Sequence, residues 1–347
     1  MKEQASDWRA TAPVFVVGAP RSGTTLLYNM ILSSGNFADY QVESNAFTKI
    51  GLAFGSLRSA ANRKKLLDTW LKSDLYRRTG LDAQEIRHTL ETTPWTNAGD
   101  FLRIVMESMA RKQGVERWAE KTPGHALYIP EIKKTLPNAL FIHIIRDGRD
   151  SAMSFNRMDE FQVLPWDKKQ GLLVCAFYWL WHVQNAVRDG RALGDHYMEV
   201  HYEDLMQHPH ETLARLGAFI HHDLDYDRIQ RNGVGVVKKP NTSYRDSFRG
   251  GPPATVGRWK DLAESDLARL NGILGPVLKE LGYEVEGPST IDFTAWRLRT
   301  FYPLYRRLRH ALKQTAPAKY LIAKTIFEHG NIDDRDMRWE VLSERPR

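Results

Sequence analysis

The sequence predicts an α/β fold: a parallel sheet flanked by helices, carrying a helical insertion and a C-terminal helical extension. Three observations lead there. Val14-Phe15-Val16-Val17, Ala139 to Ile145 and Tyr197 to Tyr202 are short apolar or β-rich runs, and Trp118-Ala119 ahead of Glu120-Lys121 is a fourth. Stretches of helical pattern separate them, and continuous strands alternating with helices imply parallel strands covered on both faces. The first strand also runs into Gly18-Ala19-Pro20-Arg21-Ser22-Gly23-Thr24-Thr25, a glycine-bearing turn and helix start that aim backbone N–H groups at an anion.

That turn has the Gly18-x4-Gly23 spacing of a P-loop, so the sheet is expected to be P-loop-like. A nucleotide triphosphatase places its lysine where this chain has Thr24, and the cation here is Arg21, inside the turn. Without that lysine the loop suits a terminal nucleoside monophosphate, held by N–H groups, the Ser22, Thr24 and Thr25 hydroxyls and the Arg21 fork. Residues 51–110 are polar, helical and strandless, an insertion over the sheet edge. Further helices are expected from Pro130 to before Pro137, from about Asp147 to Asn156 and from about Gly171 to Val187. Another starts near Pro209 with Leu213, Leu216 and Phe219 on one face. One more starts at an N-cap Ser265 with Leu267, Leu270, Leu274 and Leu278 inward.

The pattern changes after Gly287, which divides the chain into a domain over 1–286 and an extension over 287–347. Phe301, Leu304, Tyr305, Leu308 and Leu312 fall at helical spacing, interleaved with Arg299, Arg306, Arg307, Arg309 and Lys313. A basic amphipathic helix over 297–313 has two uses: contact with an anionic membrane surface, or docking on the domain or a second copy in a homodimer.

Composition narrows the class. With 347 residues, 42% hydrophobic and 26% charged, the chain reads as an ordinary soluble globular protein. The net charge of +7 fits an anionic ligand, but Lys and Arg are dispersed over residues 1–290, so no nucleic-acid partner is expected. Cys175 is the single cysteine, which excludes an intrachain disulfide framework and a cysteine metal cluster and points to a reducing compartment. Residues 1–7 have no hydrophobic signal region, and the longest apolar run, Leu172 to Trp181, is too short to span a bilayer. The expected location is cytoplasmic, or peripheral at a membrane. His125, His143, His201, His221 and His222 have no metal-like spacing and read as structural or exposed.

A second anion-binding run is Ile144-Ile145-Arg146-Asp147-Gly148-Arg149-Asp150-Ser151-Ala152-Met153-Ser154. Ligands of open parallel sheets collect beyond the carboxyl ends of strands, where Arg146 projects. Ser154 lies about two helical turns on and can face the same anion. Two phosphate sites at neighbouring strand ends require a ligand phosphorylated at both ends, such as a bisphosphorylated nucleoside.

These motifs carry a resemblance. Pro20 to Leu26 is similar to the 5′-phosphosulfate loop, and Arg146-Asp147-Gly148-Arg149 with Ser154 to the 3′-phosphate motif, of sulfotransferases that use 3′-phosphoadenosine-5′-phosphosulfate (PAPS). Glu120-Lys121-Thr122-Pro123, Tyr202-Glu203-Asp204-Leu205 and Thr255-Val256-Gly257-Arg258-Trp259 follow in the order that family uses, so the likeness covers roughly residues 13–284. It is closest to bacterial-type members with similarity to the tyrosyl-protein and carbohydrate branch. The resemblance implies sulfuryl transfer from PAPS to a hydroxyl or amine, with adenosine 3′,5′-bisphosphate as product and no metal. It implies that Arg21, Ser22, Gly23, Thr24 and Thr25 cradle the 5′-phosphosulfate and that Lys121 neutralises the departing oxygen. It further assigns Arg146 and Ser154 to the 3′-phosphate and Tyr202 to the adenine side.

Glu43 matches the family's glutamate base to within about one residue of spacing. Members acting on phenols and steroids instead carry a histidine two residues after the lysine, where this chain has Pro123. Glu43 is therefore the expected base, and His125 is expected to be dispensable. The family's Arg-Lys-Gly segment is Pro252-Pro253-Ala254 here, leaving Arg245, Ser247, Arg249, Arg258 or Arg157 to serve the 3′-phosphate. The acceptor remains open among glycan, glycolipid, small-molecule alcohol and peptide tyrosine. The alternatives are a nucleotide or small-molecule kinase with a degenerate P-loop, disfavoured by Thr24, and a non-catalytic nucleotide-binding, membrane-peripheral protein with no use for Lys121 and Glu43.

Overall fold

A computed structural model describes residues 8–158, 164, 171–232, 255–313 and 315. The strands are β1 Val14–Val17, β2 Phe37–Ala38, β3 Arg117–Lys121, β4 Leu140–Ile145 and β5 Tyr197–His201. All pair in parallel, in the order β2-β3-β1-β4-β5, so β1 is central and the carboxyl ends share one edge. The α-helices are α1 Thr24–Ser33, α2 Gly51–Ala53, α3 Ala60–Trp70, α4 Asp74–Thr79, α5 Ala83–Thr92, α6 Ala98–Gln113 and α7 Ile129–Thr135. They continue with α8 Gly148–Asn156, α9 Leu172–Arg191, α10 Tyr202–Gln207, α11 Pro209–Ile220, α12 Tyr226–Asn232, α13 Glu264–Glu280 and α14 Phe293–Lys313.

The two faces of the sheet are covered by different parts of the chain because successive strand side chains point opposite ways. Val14 and Val16 pack with Leu27 and Ile31 of α1 and Leu213 and Leu216 of α11. Phe15 and Val17 pack with the insertion, against residues such as Trp70, Phe101 and Met106. A third cluster joins Ile145 and Phe155 to α9, α13 and the first half of α14. The insertion helices are encoded locally: Ser59, Ser73, Asp82 and Asn97 each accept from a backbone N–H in the first turn of α3, α4, α5 and α6. These helices pack on the β2–β3 side of the sheet through largely apolar inward faces.

Several boundaries differ from the sequence reading. β2 is two residues long, too short for any alternation to register. The predicted cap Ser265 lies inside α13: Ala263 occupies the cap position and its carbonyl accepts from Asp266 and Leu267 N–H, with Glu264 and Asp266 facing the positive helix end. Tyr202 ends no strand but opens α10. Residues 314 and 316–347, within the predicted extension, lie outside the described residues, as do Arg245, Ser247, Arg249 and Pro252-Pro253-Ala254.

Gly148, at the start of α8, is required by packing. A Cβ there would stand 2.7 Å from the Trp179 ring of α9. Gly148→Ala is expected to cost about 1–3 kcal/mol by overpacking, read as a lowered urea midpoint at unchanged m-value. An unchanged midpoint would mean that α8 and α9 are not held this closely.

Candidate active site

Topology places the site. Val16 of β1 is in register with Lys121 of β3, and Val17 with His143 of β4. Adjacent strands lie about 4.8 Å apart, so the turn after β1 is flanked by Lys121 at the end of β3 and by Arg146 just past the end of β4.

The turn itself is shaped for close approach. Arg21 has φ 72°, in the left-handed region, a conformation that costs a non-glycine residue about 1–3 kcal/mol and collects at functional sites. Gly23 has φ 93°, and a Cβ on it would lie 2.5 Å from Cδ2 of Tyr202. α1 then starts at Thr24 with no side-chain cap, so its first N–H groups point into the turn. Ser22 and Thr24 are buried beneath it, while Thr25 is exposed on the first turn.

Arg21 and Arg146 meet over this turn. Arg21 Nε donates to Ser154 Oγ at 3.1 Å, and Arg146 Nη1 donates to the Arg21 carbonyl at 3.2 Å. The Arg146 guanidinium lies over the Tyr202 ring, 4.7 Å from its centroid, and Nη2 donates to the Thr255 carbonyl. Tyr202 Oη and Thr255 Oγ1 are hydrogen-bonded at 2.9 Å. Tyr202 is thus a buried wall of the cradle, touching Gly23, Arg146 and Thr255. Arg258, three residues beyond Thr255, adds a third guanidinium. Burial first, then the charges of Arg146 and Arg258, lower Arg21 to about 10. Burial, Arg146 and the exposed Arg157 lower Arg258 in the same way.

Ser22 Oγ, Arg146 Nε, and Arg258 Nε and Nη2 are buried without a hydrogen-bond partner. Each buried unsatisfied group costs about 1–3 kcal/mol, and three neighbouring cations repel one another. Phosphate or sulfonate oxygens answer both costs, so these residues fit a doubly anionic nucleotide. Among the described residues, no group of three or more His, Cys, Asp and Glu is arranged to hold a metal ion.

Sequence reasoning gave no role to the residues that hold this cradle. Asp150 accepts from Gly257 N–H at 2.7 Å and Trp259 N–H at 2.9 Å, which ties the segment carrying Arg258 to α8. Burial raises the Asp150 carboxyl above its ordinary range, even against Arg146. Arg149 turns away from the cradle. It donates to Asp147 Oδ2 at 2.7 Å and the Glu284 carbonyl at 2.8 Å, and stacks 3.5 Å from the Trp259 ring. Glu203 accepts from Asp147 N–H at 3.0 Å and Tyr283 Oη at 2.9 Å, and burial pushes it up to about 7. The spacing of acidic residues in Arg146-Asp147-Gly148-Arg149-Asp150 was the available signal for Asp150.

On the other side of β1, Lys121 Nζ donates to Glu43 Oε1 at 2.9 Å, both side chains being largely buried. The pair is held by a cluster one residue removed from each. Glu120, 1% exposed, accepts from Ser44 Oγ at 2.7 Å, Thr122 Oγ1 at 2.6 Å and the His125 ring at 2.7 Å, and more weakly from Ser44 N–H at 3.3 Å. Burial alone would raise the Glu120 carboxyl, but the His125 charge and the hydrogen bonds of His125, Ser44 and Thr122 outweigh it and hold it below its ordinary value. Asn45, at φ 51°, donates to the Glu43 carbonyl and to Thr122 Oγ1. His125 is thus fully buried and bonded to Glu120, so its removal bears first on stability, whatever its effect on turnover.

Removing His125 should leave a buried carboxylate short of its charged partner, and His125→Ala is expected to lose about 3–5 kcal/mol of stability. The pH dependence follows from the sign of the shift. A carboxyl held below its unfolded value stabilises the fold above the ordinary carboxylate range and stops doing so as pH falls through the depressed value. Without His125 the burial of Glu120 is uncompensated, so acid unfolding of His125→Ala should begin at higher pH than in the wild type. Coincident acid limbs would remove His125 from this cluster.

The geometry can now be set beside known proteins. A family profile described as "Sulfotransferase family" matches residues 13–227, more than half of the chain. A protein-tyrosine sulfotransferase of Drosophila melanogaster is 25% identical over 289 residues, covering 78% of this chain and 51% of its own length. The chain thus spans about half of that relative. Protein-tyrosine sulfotransferase A of Caenorhabditis elegans is 23% identical over 295 residues, covering 80% of this chain and 69% of its own. Among solved structures, the sulfotransferase domain from the curacin biosynthetic pathway superposes with a TM-score of 0.55 at 16% identity, covering 79% of this chain and 99% of that one. The sulfotransferase domain of the Synechococcus PCC 7002 olefin synthase gives 0.53 at 19% identity, covering 79% and 96%. The solved structures bear on the fold alone; the profile match settles membership, and the chain belongs to the sulfotransferase family.

Proposed function

We propose that this sulfotransferase-family chain moves the sulfuryl group of PAPS to a hydroxyl or amine acceptor by in-line displacement, with Glu43 as the base. The observation that carries this is the arrangement about β1. A cradle of three guanidinium groups, Arg146 buried and Arg21 and Arg258 half-buried, with orphaned donors lies on one side, and the Glu43–Lys121 ion pair lies on the other. Ser22, Gly23, Thr24, Thr25 and Arg21 would hold the 5′ end of the nucleotide. Arg146, Ser154 and Arg258 would hold the 3′-phosphate, with Arg157 adding its charge.

In the transfer, the acceptor oxygen attacks sulfur while its proton passes to Glu43, and the bond from sulfur to the bridging oxygen breaks. Lys121, Arg21 and the turn N–H groups answer the charge that develops on the departing phosphate. The sulfuryl group bears less negative charge than a phosphoryl group, so these cations form a sufficient electrostatic set. The products are the sulfated acceptor and adenosine 3′,5′-bisphosphate, and the Glu43 proton returns to water. The ion pair links the two roles. When Lys121 turns to the departing oxygen, its former partner Glu43 is left to receive the proton. The relatives named protein-tyrosine sulfotransferases make a tyrosine-containing peptide the first acceptor to test, ahead of glycans, glycolipids and small alcohols in a screen with labelled PAPS.

Two measurements test this reading. By calorimetry in the presence of a chelator, the protein should bind adenosine 3′,5′-bisphosphate. Arg146→Ala should weaken that ligand by about 1.5–3 kcal/mol, the worth of a charge-assisted hydrogen bond, and adenosine 5′-monophosphate far less. Binding of ATP with Mg²⁺ in preference would favour a kinase instead. Glu43→Gln should keep fold and bisphosphate affinity but lower turnover by about 10²–10⁴-fold. Lys121→Ala should also lose turnover, and an acceptor of lower pKa should partly rescue Glu43→Gln but not Lys121→Ala. Full activity of Glu43→Gln across pH would disprove its role as base.

A further inference from the structure

Helix α14 has two apolar sides, and the fold uses one. Ala295, Leu298 and Tyr302 are buried in the cluster built on α9. On another side, Leu304, Leu308 and Leu312 recur every four residues and are 64%, 56% and 53% exposed. Phe293 and Trp296, stacked with ring centroids 5.8 Å apart and 72% and 56% exposed, extend this stripe towards the helix start. So many large apolar side chains exposed along one helix exceed the scattered apolar residues of an ordinary surface, although the exposed Arg297 and Thr300 lie between the aromatic pair and the leucines. Beneath the first half of the helix, Leu298 and Phe301 join Leu172, Leu173 and Val174, together with Asp266, Arg269 and Arg297, around a cleft of about 810 Å³.

The charge on the helix selects an occupant. Residues 293–313 contain Arg297, Arg299, Arg306, Arg307, Arg309 and Lys313, and no Asp or Glu. A second copy docked stripe to stripe would bring two such cationic helices together, and their repulsion opposes the pairing. An anionic bilayer meets both halves of the pattern: acyl chains take the leucines and aromatics, lipid phosphates take the arginines, and the long side chains reach outward from the apolar level. The helix also lies beside the acceptor side of the proposed site. The His310 ring is 6.1 Å from that of Tyr128, at the end of the loop that begins one residue after Lys121.

We propose that α14 is a docking surface for anionic lipid bilayers, with Phe293, Trp296, Leu304, Leu308 and Leu312 seated among acyl chains and the exposed Arg297, Arg299, Arg307 and Arg309 on headgroup phosphates, while Arg306 faces the Tyr178 ring of the domain. The docking rests on the helix alone and stands or falls separately from sulfuryl transfer.

The test is co-sedimentation of the full chain with vesicles of phosphatidylcholine, with and without phosphatidylglycerol. The protein should pellet with the anionic vesicles, not with phosphatidylcholine alone, and added salt should release it. The double variant Leu304→Asp, Leu308→Asp should bind at least about tenfold more weakly, with its far-UV circular dichroism and urea midpoint unchanged. Arg299→Glu with Arg307→Glu should weaken binding likewise. Absence of binding to anionic vesicles overturns the proposal. So does binding that the leucine variant leaves intact, since a chain of net charge +7 would then be held by diffuse attraction alone. Dimerisation that the leucine variant abolishes, without vesicle binding, would give the face to a second copy.

Discussion

Three guanidinium groups gathered where β1 and β4 end are the constraint around which this molecule is organised. Arg21, Arg146 and Arg258 are close enough to act on one another's charge, with Arg146 buried and the other two partly removed from water. Nothing in folding favours such a cluster for its own sake. It persists because rigid elements over-determine it: Tyr202 beneath Arg146, the Thr255 carbonyl on its far side, and Asp150 gripping the backbone that delivers Arg258. One buried carboxylate against three cations leaves the site short of negative charge, and an anion bound there recovers energy the fold has already spent.

This explains why Arg149, adjacent in the same motif, behaves so differently. It has Asp147, the Glu284 carbonyl and the Trp259 face, and is satisfied within the protein. Arg146 keeps Nε without a partner. Two arginines three residues apart thus divide into a rivet and a ligand group, and the rivet fixes the angle at which α8 leaves the sheet. Glu203 and Tyr283 brace the same turn from α10 and from the chain after α13. The cradle's precision therefore depends on the packing of α13, which contributes no group to it.

The sequence made the parallel sheet, the glycine turn and both phosphate runs legible, because each follows from a local pattern: an apolar run, a fixed glycine spacing, an arginine at a strand end. Glu43 and Lys121 were legible only through the order of motifs, and their contact across 78 residues had no local signature. What stayed hidden was what depends on pairing at a distance. β2 is defined by its neighbour rather than by its two residues. Asp150 is a first-turn helical acid until the segment from Thr255 to Trp259 is laid against it. Ser265 looked like a cap because serine often is one, but the helix starts two residues earlier, with Ala263 in the cap position. Glu120 showed the limit most clearly: it sits beside a functional lysine and reads as a strand-end charge, yet it is nearly fully buried.

Glu120 also gives the acceptor side its logic. A base on a loop is imprecise unless the loop is tied to the rigid sheet, and the tie is one buried carboxylate shared by Ser44, Thr122 and His125. Ser44 follows Glu43, and Lys121 lies between Glu120 and Thr122, so the same hub fixes both members of the ion pair. The side chain of Glu120 points away from chemistry in order to hold its neighbours towards it. A histidine base in this loop would have to leave such a hub to face an acceptor. His125 is fully buried and committed to Glu120 through Nδ1, so it offers no exposed nitrogen to an acceptor proton. In the proposed mechanism the base therefore sits in the loop after β2, and the histidine has the task of keeping that loop in place.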